Sequence, residues 1–265
     1  MMVNDVRSFY PALSRAKRRL LDLHFSSRTG HIGGNFSSID IMMVLHHLVM
    51  SDGDRFILSK GHSAGAYYVT LWSLGLLNDD DLLTFCKDGT ALPGHPSGVG
   101  VPRMDFPTGS LGHGPSLAAG LAHGLRLKNS TNRVFCLCSD GEWQEGSCWE
   151  ALIFSVHHKL SNLTLIIDQN NFQGLGTTES VVSCKDLGAR IAPFGVDLVE
   201  VDGHDVNFLV GKLNGEETAL PRVIVANTRK GNGLPFEGTV ASHYSLLTAE
   251  AYDESIRILW NDDNA

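Results

Sequence analysis

The apolar positions near the start of the chain recur at steps of three and four residues, which is the period of one helix face. The residues with this spacing are Phe9, Leu13, Ala16, Leu20 and Leu23. They predict an amphipathic first helix, and a second helix is expected over about residues 38–50. A short apolar run, Arg55–Leu58, then predicts a strand that leads directly into Ser59-Lys60-Gly61-His62.

Four later runs are almost purely aliphatic, and each ends at a polar or acidic residue. The runs are 134–138, 163–167, 196–201 and 223–226, and helices are expected between them at 115–128, 146–159 and 205–213. Strands without polar alternation, separated by helices, predict an α/β fold with a parallel sheet that has helices on both faces. Ligands in such folds bind at the carboxyl ends of the strands, so the polar residues there are candidate site residues.

The length fits either one large domain or two small ones, and we expect a single domain over residues 1–265 with a short frayed tail at about 260–265. Hydrophobic residues make up 43% of the chain and charged residues 19%, which argues against disorder. A formal charge of −8 argues against a nucleic-acid or membrane partner. The sequence has neither a run of 18 apolar residues nor a signal-peptide pattern, so we expect a cytoplasmic protein.

The five cysteines do not form a metal-binding pattern. They are Cys86, Cys136, Cys138, Cys148 and Cys184. Cys136 and Cys138 alternate along a predicted strand, so both side chains should point to the same face of the sheet. This favours buried thiols in a reducing compartment.

The most specific motif joins Asp140-Gly141 to Asn170-Asn171 across 28 intervening residues, and each half directly follows a predicted strand. Asp140 offers a carboxylate oxygen, Asn170 an amide oxygen and Phe172 a backbone carbonyl, which are hard ligands suited to Mg²⁺. Gly141 lets the backbone approach a diphosphate, and a helix expected to begin near Gly146 directs its positive end towards it. Either half alone is typical of an ordinary turn. The pair at this spacing favours a metal and diphosphate site.

Several of the twelve histidines lie beside glycines in loops, in the segments Gly30-His31, Gly61-His62, Gly94-His95 and Gly112-His113. Histidine exchanges protons near neutral pH, so several rings around one cavity would suit proton transfers among sugar hydroxyls. Five others are in helical patterns and are expected to be structural: His46, His47, His123, His157 and His158. No histidine pair has the i,i+4 spacing beside a carboxylate that zinc enzymes favour, so we do not expect zinc.

These motifs, in this order, resemble those of transketolases over about residues 10–245. Other thiamine-diphosphate enzymes share the Asp-Gly…Asn signature, but the Thr-Gly-His, Leu-Ser-Lys-Gly-His and Pro-Gly-His series is typical of transketolases. The resemblance implies the thiamine-diphosphate-binding fold, with thiamine diphosphate and Mg²⁺ (or Ca²⁺ in its place) as cofactors. It also implies that Asp140, Asn170 and the Phe172 carbonyl hold the metal.

The same resemblance implies roles for four histidines. His31 and His95 would contact sugar hydroxyls, His62 would lie against the diphosphate and the reacting carbon, and His243 would help to deprotonate the donor. The residues that the resemblance implies for cofactor binding are His62, Gly109, Ser110, Leu111, Gly141, Glu145, Asn170, Lys230 and Lys60. Of these, Glu145 would face a partner subunit, and the two lysines would meet the diphosphate or the substrate end.

The sequence departs from the transketolase pattern at three places. Tyr244 follows His243 where glycine is usual, and His113 replaces a glutamine. After Asn170, the usual Gly-Leu-Gln-Ile-Asp-Gly has become Asn-Phe-Gln-Gly-Leu-Gly, which removes an aliphatic side chain and an acid.

In transketolases the glutamate that hydrogen-bonds to the pyrimidine ring of the cofactor lies in a second domain. We therefore expect the N-terminal subunit of a split enzyme, active only with a separate C-terminal subunit that carries the pyrimidine-binding domain, in a heterotetramer. The expected reaction transfers a two-carbon ketol unit from a ketose or ketose phosphate to an aldehyde.

One alternative is transfer to a carrier-bound or other non-sugar acceptor. A non-catalytic binding module is disfavoured by the retained motifs. A nicotinamide dehydrogenase is excluded because the Gly-x-Gly-x-x-Gly turn is missing.

Overall fold

The computed structural model describes residues 6–98, 100–183, 185–215 and 218–260. The strands are Arg55–Leu58 (β1), Val134–Ser139 (β2), Leu163–Gln169 (β3), Phe172–Gln173 (β4), Gly176–Thr177 (β5), Asp197–Asp202 (β6) and Arg222–Asn227 (β7). Five of them form one sheet in the order β1-β2-β3-β7-β6, and every neighbouring pair is parallel. The two shortest strands, β4 and β5, pair as an antiparallel hairpin. The predicted parallel sheet is therefore confirmed.

Helices pack on both faces of this sheet. They are Val6–Ser27 (α1), Ile32–Val44 (α2), Ala64–Ser73 (α3), Asp79–Leu82 (α4), His113–Leu127 (α5), Gly146–His157 (α6), Thr178–Val181 (α7), Leu187–Ile191 (α8), Val206–Leu213 (α9), Ala241–Tyr244 (α10) and Ala249–Trp260 (α11). One apolar core combines α1, α2, α3 and α9 with one side of the sheet. A second core combines α5, α6 and α8 with the other side.

The pleat of β2 explains how one strand serves both cores. Phe135 and Leu137 belong to the first core, whereas Cys136 and Cys138 point into the second. The two thiols are unoxidised, and their sulfur atoms lie 3.7 Å apart. This confirms that both cysteines share one face of the sheet. Cys184 lies outside the described residues.

The second helix differs from its prediction. It begins at Ile32 and not near Ser38, and a π-helical turn at Leu45–Val49 continues it. Every residue of α2 is buried, so packing on all sides, and not an amphipathic pattern, determines where the helix begins. The earlier start is important for the site because His31 now directly precedes the first helical residue.

Helix α3 was not predicted, because residues 64–71 are buried on all faces and show no helical period. Helix α11 was not predicted either. The tail expected to fray, residues 261–265, lies outside the described residues. Within the described ranges, no helix is both long and apolar enough to cross a membrane.

Candidate active site

A cavity of about 320 Å³ lies at the carboxyl ends of β2 and β3. Ten residues predicted from the sequence line it: His31, His62, His95, His243, Gly109, Leu111, Asp140, Gly141, Asn170 and Phe172. Because β2 and β3 are parallel neighbours, with Ser139 paired to Asp168, the residues that follow the two strands meet at the same edge of the sheet.

Asp140, Asn170 and Phe172 form a set of oxygen donors with fixed orientations. The carboxylate of Asp140 accepts hydrogen bonds from the backbone N–H groups of Gly141 at 2.7 Å and Asn171 at 2.5 Å. The side-chain oxygen of Asn170 accepts from the N–H of Phe172 at 3.1 Å, and its amide nitrogen donates to Asp168 at 3.1 Å. These contacts leave further lone pairs on every oxygen, so the set fits a hard divalent cation such as Mg²⁺.

The electrostatics of Asp140 agree with a cation site. Burial, together with the negative charge of Asp168, raises the pKa of Asp140 to about 7. A bound divalent cation would favour the ionised carboxylate. Two cavity-wall atoms, Nδ1 of His31 and Nε2 of Gln173, are buried without a hydrogen-bond partner among the described residues. Buried polar atoms of this kind are expected where a polar ligand completes a site.

The four predicted histidines converge. The ring of His31 lies 5.6 Å from those of His62 and His95, and 4.9 Å from that of His243, measured between ring centroids. Burial lowers the pKa of His31 to about 4 and that of His243 to about 3, and it also lowers the pKa values of His62 and His95. All four rings are therefore neutral at pH 7, and a neutral imidazole carries one hydrogen-bond donor and one acceptor.

Lys230 determines which nitrogen of His243 carries the proton. Its ammonium group lies 3.0 Å from the carbonyl oxygen of Phe172 and 2.9 Å from Nδ1 of His243. Burial lowers the pKa of Lys230 to about 8, so the ammonium form still dominates at pH 7. An ammonium only donates, so Nδ1 accepts and the proton lies on Nε2. In this tautomer the Nε2–H group of His243 is available to donate a hydrogen bond to a ligand, and the expected role of His243 towards the sugar stays a prediction.

Four residues with expected roles do not line the cavity. Lys60 is fully buried, and its ammonium contacts the carboxylate of Asp168 and, at 3.1 Å, the carbonyl of Gly34. Ser110 is exposed beside a neighbouring cavity, and Glu145 is exposed directly before α6. Lys230 does not line the cavity itself, but its ammonium group contacts two residues that do, Phe172 and His243. The five histidines expected to be structural also lie away from the cavity.

Two buried carboxylates that the sequence reasoning missed shape the site. Glu142 accepts from the N–H groups of Gly112 at 2.8 Å and Ser139 at 3.1 Å, and from the hydroxyl of Ser59. It thereby connects the end of β1, the end of β2 and the loop before α5. Asp168 connects β3 to Lys60. The sequence signal that could have identified these two acids was their position, because each lies at or just after the end of a predicted strand.

Comparison with known proteins gives a consistent result. Residues 17–264 match the family described as transketolase, thiamine diphosphate binding domain. The chain is 33% identical over 253 residues to one subunit of the apulose-4-phosphate transketolase of Phocaeicola vulgatus, a match that covers 91% of this chain and 90% of that protein. It is 32% identical over 239 residues to the 6-deoxy-6-sulfo-D-fructose transketolase subunit SqwG of a Clostridium species, covering 86% and 87% of the two chains.

A solved structure agrees with these sequence matches. The transketolase from Campylobacter jejuni superposes on this chain with a TM-score of 0.87 at 26% identity. The superposition covers 98% of this chain and 44% of that one. The chain thus corresponds to less than half of the solved enzyme.

Proposed function

Since this chain belongs to the transketolase family of thiamine-diphosphate-binding domains, we propose that it is the diphosphate- and metal-binding subunit of a split transketolase. Family membership makes it part of a transferase whose thiamine-diphosphate-dependent chemistry moves a two-carbon ketol unit. The division of roles among its residues, its partner and its substrates are our proposals.

The observation that carries the proposal is the single cavity shared by the oxygen donors and the four histidines. Asp140, Asn170 and the Phe172 carbonyl would hold Mg²⁺, and Gly141 would let the backbone approach the diphosphate. Gly109 and Leu111 would line the aminopyrimidine side. When bound, thiamine diphosphate supplies a carbon nucleophile and an electron sink for the two-carbon unit.

The histidines would bind and orient the sugar. His31 and His95 are neutral, so each ring can accept a hydrogen bond from one hydroxyl group while it donates a hydrogen bond to another. His243, held by Lys230 with its proton on Nε2, would donate a hydrogen bond to a substrate oxygen. His62 lies next to His31 and would contact both the cofactor and the reacting end of the donor.

A separate partner subunit would supply the pyrimidine-binding domain, in a heterotetramer. The names of the two relatives support a partner subunit, because each names a transketolase subunit, and each relative matches this chain over most of its own length. The exposed position of Glu145 before α6 is compatible with a contact to that partner.

The donor would be a ketose or ketose phosphate, and the acceptor an aldehyde. The relatives' names specify a phosphorylated sugar in one case and a sulfonated sugar in the other. Four neutral imidazoles around one cavity favour a polyhydroxylated ligand over a carrier-bound acceptor, because sugar hydroxyls need paired donors and acceptors. We also propose that the protein is cytoplasmic and has no nucleic-acid or membrane partner, and the formal charge of −8 supports the second part of this proposal.

The proposal can be tested by reconstitution. Donor consumption would be measured with Mg²⁺ and thiamine diphosphate for the chain alone, and then for the chain mixed with a candidate partner encoded in the neighbouring reading frame. We expect turnover only in the mixture. Asp140→Ala and Asn170→Ala should abolish turnover and Mg²⁺-dependent cofactor binding in calorimetry, since each removes a metal ligand.

Asn227→Ala is the matched control, because this amide also ends a strand, and among the described residues its side chain only accepts a hydrogen bond from Gln169, at 2.9 Å. It should retain both turnover and binding. Robust turnover by the chain alone would contradict the split-subunit proposal, and undiminished Mg²⁺-dependent affinity in both alanine variants would contradict the ligand assignment.

A further inference from the structure

Two positions at which the sequence departs from the transketolase pattern lie against each other. Tyr244 stands where glycine is usual, and Gly174 stands where the pattern has isoleucine. Both line the cavity, and a Cβ atom added to Gly174 would collide with the hydroxyl oxygen of Tyr244. The missing aliphatic side chain therefore makes room for the tyrosine, so the two departures form one structural unit.

The backbone of Tyr244 is fixed by the segment that precedes α2. The N–H of His31 donates to the carbonyl of His243 at 2.7 Å. A Cβ atom on Gly30 would lie 3.3 Å from the carbonyl oxygen of Tyr244, and Gly33 similarly allows the close approach of Ser242, which is fully buried. Tyr244 thus belongs to a segment that packs against the beginning of α2.

The side chain of Tyr244 lies at the outer rim of the cavity. It is 61% exposed, whereas Asp140 at the inner end is 3% exposed. Its ring centroid is 4.5 Å from that of His243 and 6.1 Å from that of His31. The hydroxyl group of Tyr244 makes no hydrogen bond within the described part of the chain. Tyr244 therefore shapes the rim mainly through the space that its ring occupies.

We propose that Tyr244 is a specificity-determining residue that limits the length of the sugar chain that the cavity accepts. The inference rests on the proposed function, in which the reacting two-carbon end of the donor lies inside the cavity beside His62. The remaining carbons must then leave through a passage at the outer rim, where the side chain of Tyr244 lies against the segment that contains Gly174. The aromatic ring occupies part of this passage, which disfavours donors with a long remaining chain.

The test compares donors of different length on the reconstituted complex. Hydroxypyruvate has only a carboxylate beyond the transferred unit, whereas a six- or seven-carbon ketose phosphate extends through the passage. Tyr244→Gly should raise the ratio of kcat/KM for the long donor to that for hydroxypyruvate by about tenfold, a typical effect of relieving steric exclusion in a pocket. Tyr244→Phe keeps the ring and should leave this ratio within about twofold.

Gly174→Ala supplies an independent check, because its methyl group should displace the tyrosine ring. It should shift the donor ratio in the same direction as Tyr244→Gly, and it should have no further effect in the double variant. Leu246→Ala is the control, since Leu246 is 52% exposed on the same segment but does not line the cavity. Calorimetric affinity for thiamine diphosphate should stay within a few-fold in every variant.

An unchanged donor ratio in Tyr244→Gly would overturn the inference while leaving the proposed function intact. An equal change in Tyr244→Phe would also overturn it, because the hydroxyl and not the ring would then select the substrate. Turnover of no donor by the wild-type complex would instead reject the proposed function itself, and the inference with it.

Discussion

At the scale of single residues, His31 has the most unusual conformation in the site. Its backbone is left-handed, with φ 65°, which costs roughly 1 kcal/mol or more for a residue with a Cβ atom. The hydrogen bond from its N–H to His243 and the start of α2 at Ile32 offset this strain. The result is a ring placed between those of His62, His95 and His243, with Nδ1 still unpartnered among the described residues.

This placement leads to a prediction for His31 and His95. If their rings contact substrate hydroxyls, His31→Ala and His95→Ala should lower kcat/KM for the ketose donor by about 10²-fold, the effect expected when a positioned acid–base group is lost. Cofactor affinity should stay within a few-fold. His62→Ala should affect both quantities, because His62 lies deeper in the site.

Kinetics, calorimetric cofactor affinity and melting temperature would be measured on the same variants, with exposed His157→Ala as the control. Parallel losses in all three quantities for His95→Ala would show that His95 only holds its loop together, and this would contradict its assignment to the substrate.

At the scale of secondary-structure elements, a buried ion pair joins β1, β3 and α2. The Asp168 carboxylate contacts Lys60 and the hydroxyl of Thr228, and it accepts from the hydroxyl of Ser37 at 2.6 Å. Burial alone would raise the pKa of Asp168, but the Lys60 ammonium and these hydrogen bonds hold it below its usual range. The pair therefore fixes the ends of two strands directly behind the cavity.

Removing one partner of this pair should be costly. Asp168→Asn would leave the Lys60 ammonium buried without a counter-charge, so we expect a loss of about 3–5 kcal/mol in the free energy of unfolding. The paired replacement Lys60→Met/Asp168→Leu should lose less than the single variant, because it buries no uncompensated charge. Denaturant titration measures both.

Asp79→Asn is the control, since the Arg19–Asp79 pair has an acid that is 70% exposed and should contribute less than about 1 kcal/mol. A change within about 1 kcal/mol for Asp168→Asn would mean that the buried pair is not important for stability.

The elements also show what the sequence could predict. The aliphatic strands were located within two residues of their observed ends because long apolar runs bounded by polar residues are a local signal. Asp140 and Asn170 could be placed together because parallel strands bring their carboxyl ends to one edge. The start of α2 and the whole of α3 could not be predicted, because both helices are buried on every face and show no amphipathic pattern. Nor could the Lys60–Asp168 pair, because its partners are 108 residues apart and nothing local connects them.

At the scale of the whole molecule, the two cores differ in their buried polar groups. The second core, which includes α5, α6 and α8, contains the thiols of Cys136, Cys138 and Cys148. The side of the sheet that packs against α1, α2 and α3 contains buried histidines instead. Burial lowers the pKa of His24 to about 4 and that of His46 to about 3. The loss of folding stability at acid pH should therefore arise mainly on the side of the sheet that packs against α1, α2 and α3.

His46 provides a direct test of this acid sensitivity. It is 2% exposed, both ring nitrogens are unpartnered among the described residues, and its ring packs against Phe56 and Tyr67. Burial is the main cause of its low pKa, and the nearby charges of Arg103 and His47 add to it. In the unfolded chain the pKa returns to about 6.5. Between the two values the unfolded state binds more protons, so stability must fall as the pH falls, by up to about 1.4 kcal/mol per pH unit.

We predict that His46→Phe reduces the loss of folding stability that occurs as the pH falls. Phenylalanine keeps an aromatic ring between Phe56 and Tyr67 and removes two buried nitrogens without partners among the described residues, so stability at about pH 7.5 should stay the same or rise by about 1 kcal/mol. Denaturant unfolding at about pH 7.5 and about pH 5.0 should then show a smaller difference than in the wild type, by about 1–2 kcal/mol. Exposed His157→Gln should leave the difference unchanged. If His46→Phe loses as much stability as the wild type between these pH values, His46 does not titrate on unfolding, and the acid sensitivity must come from other groups such as His24.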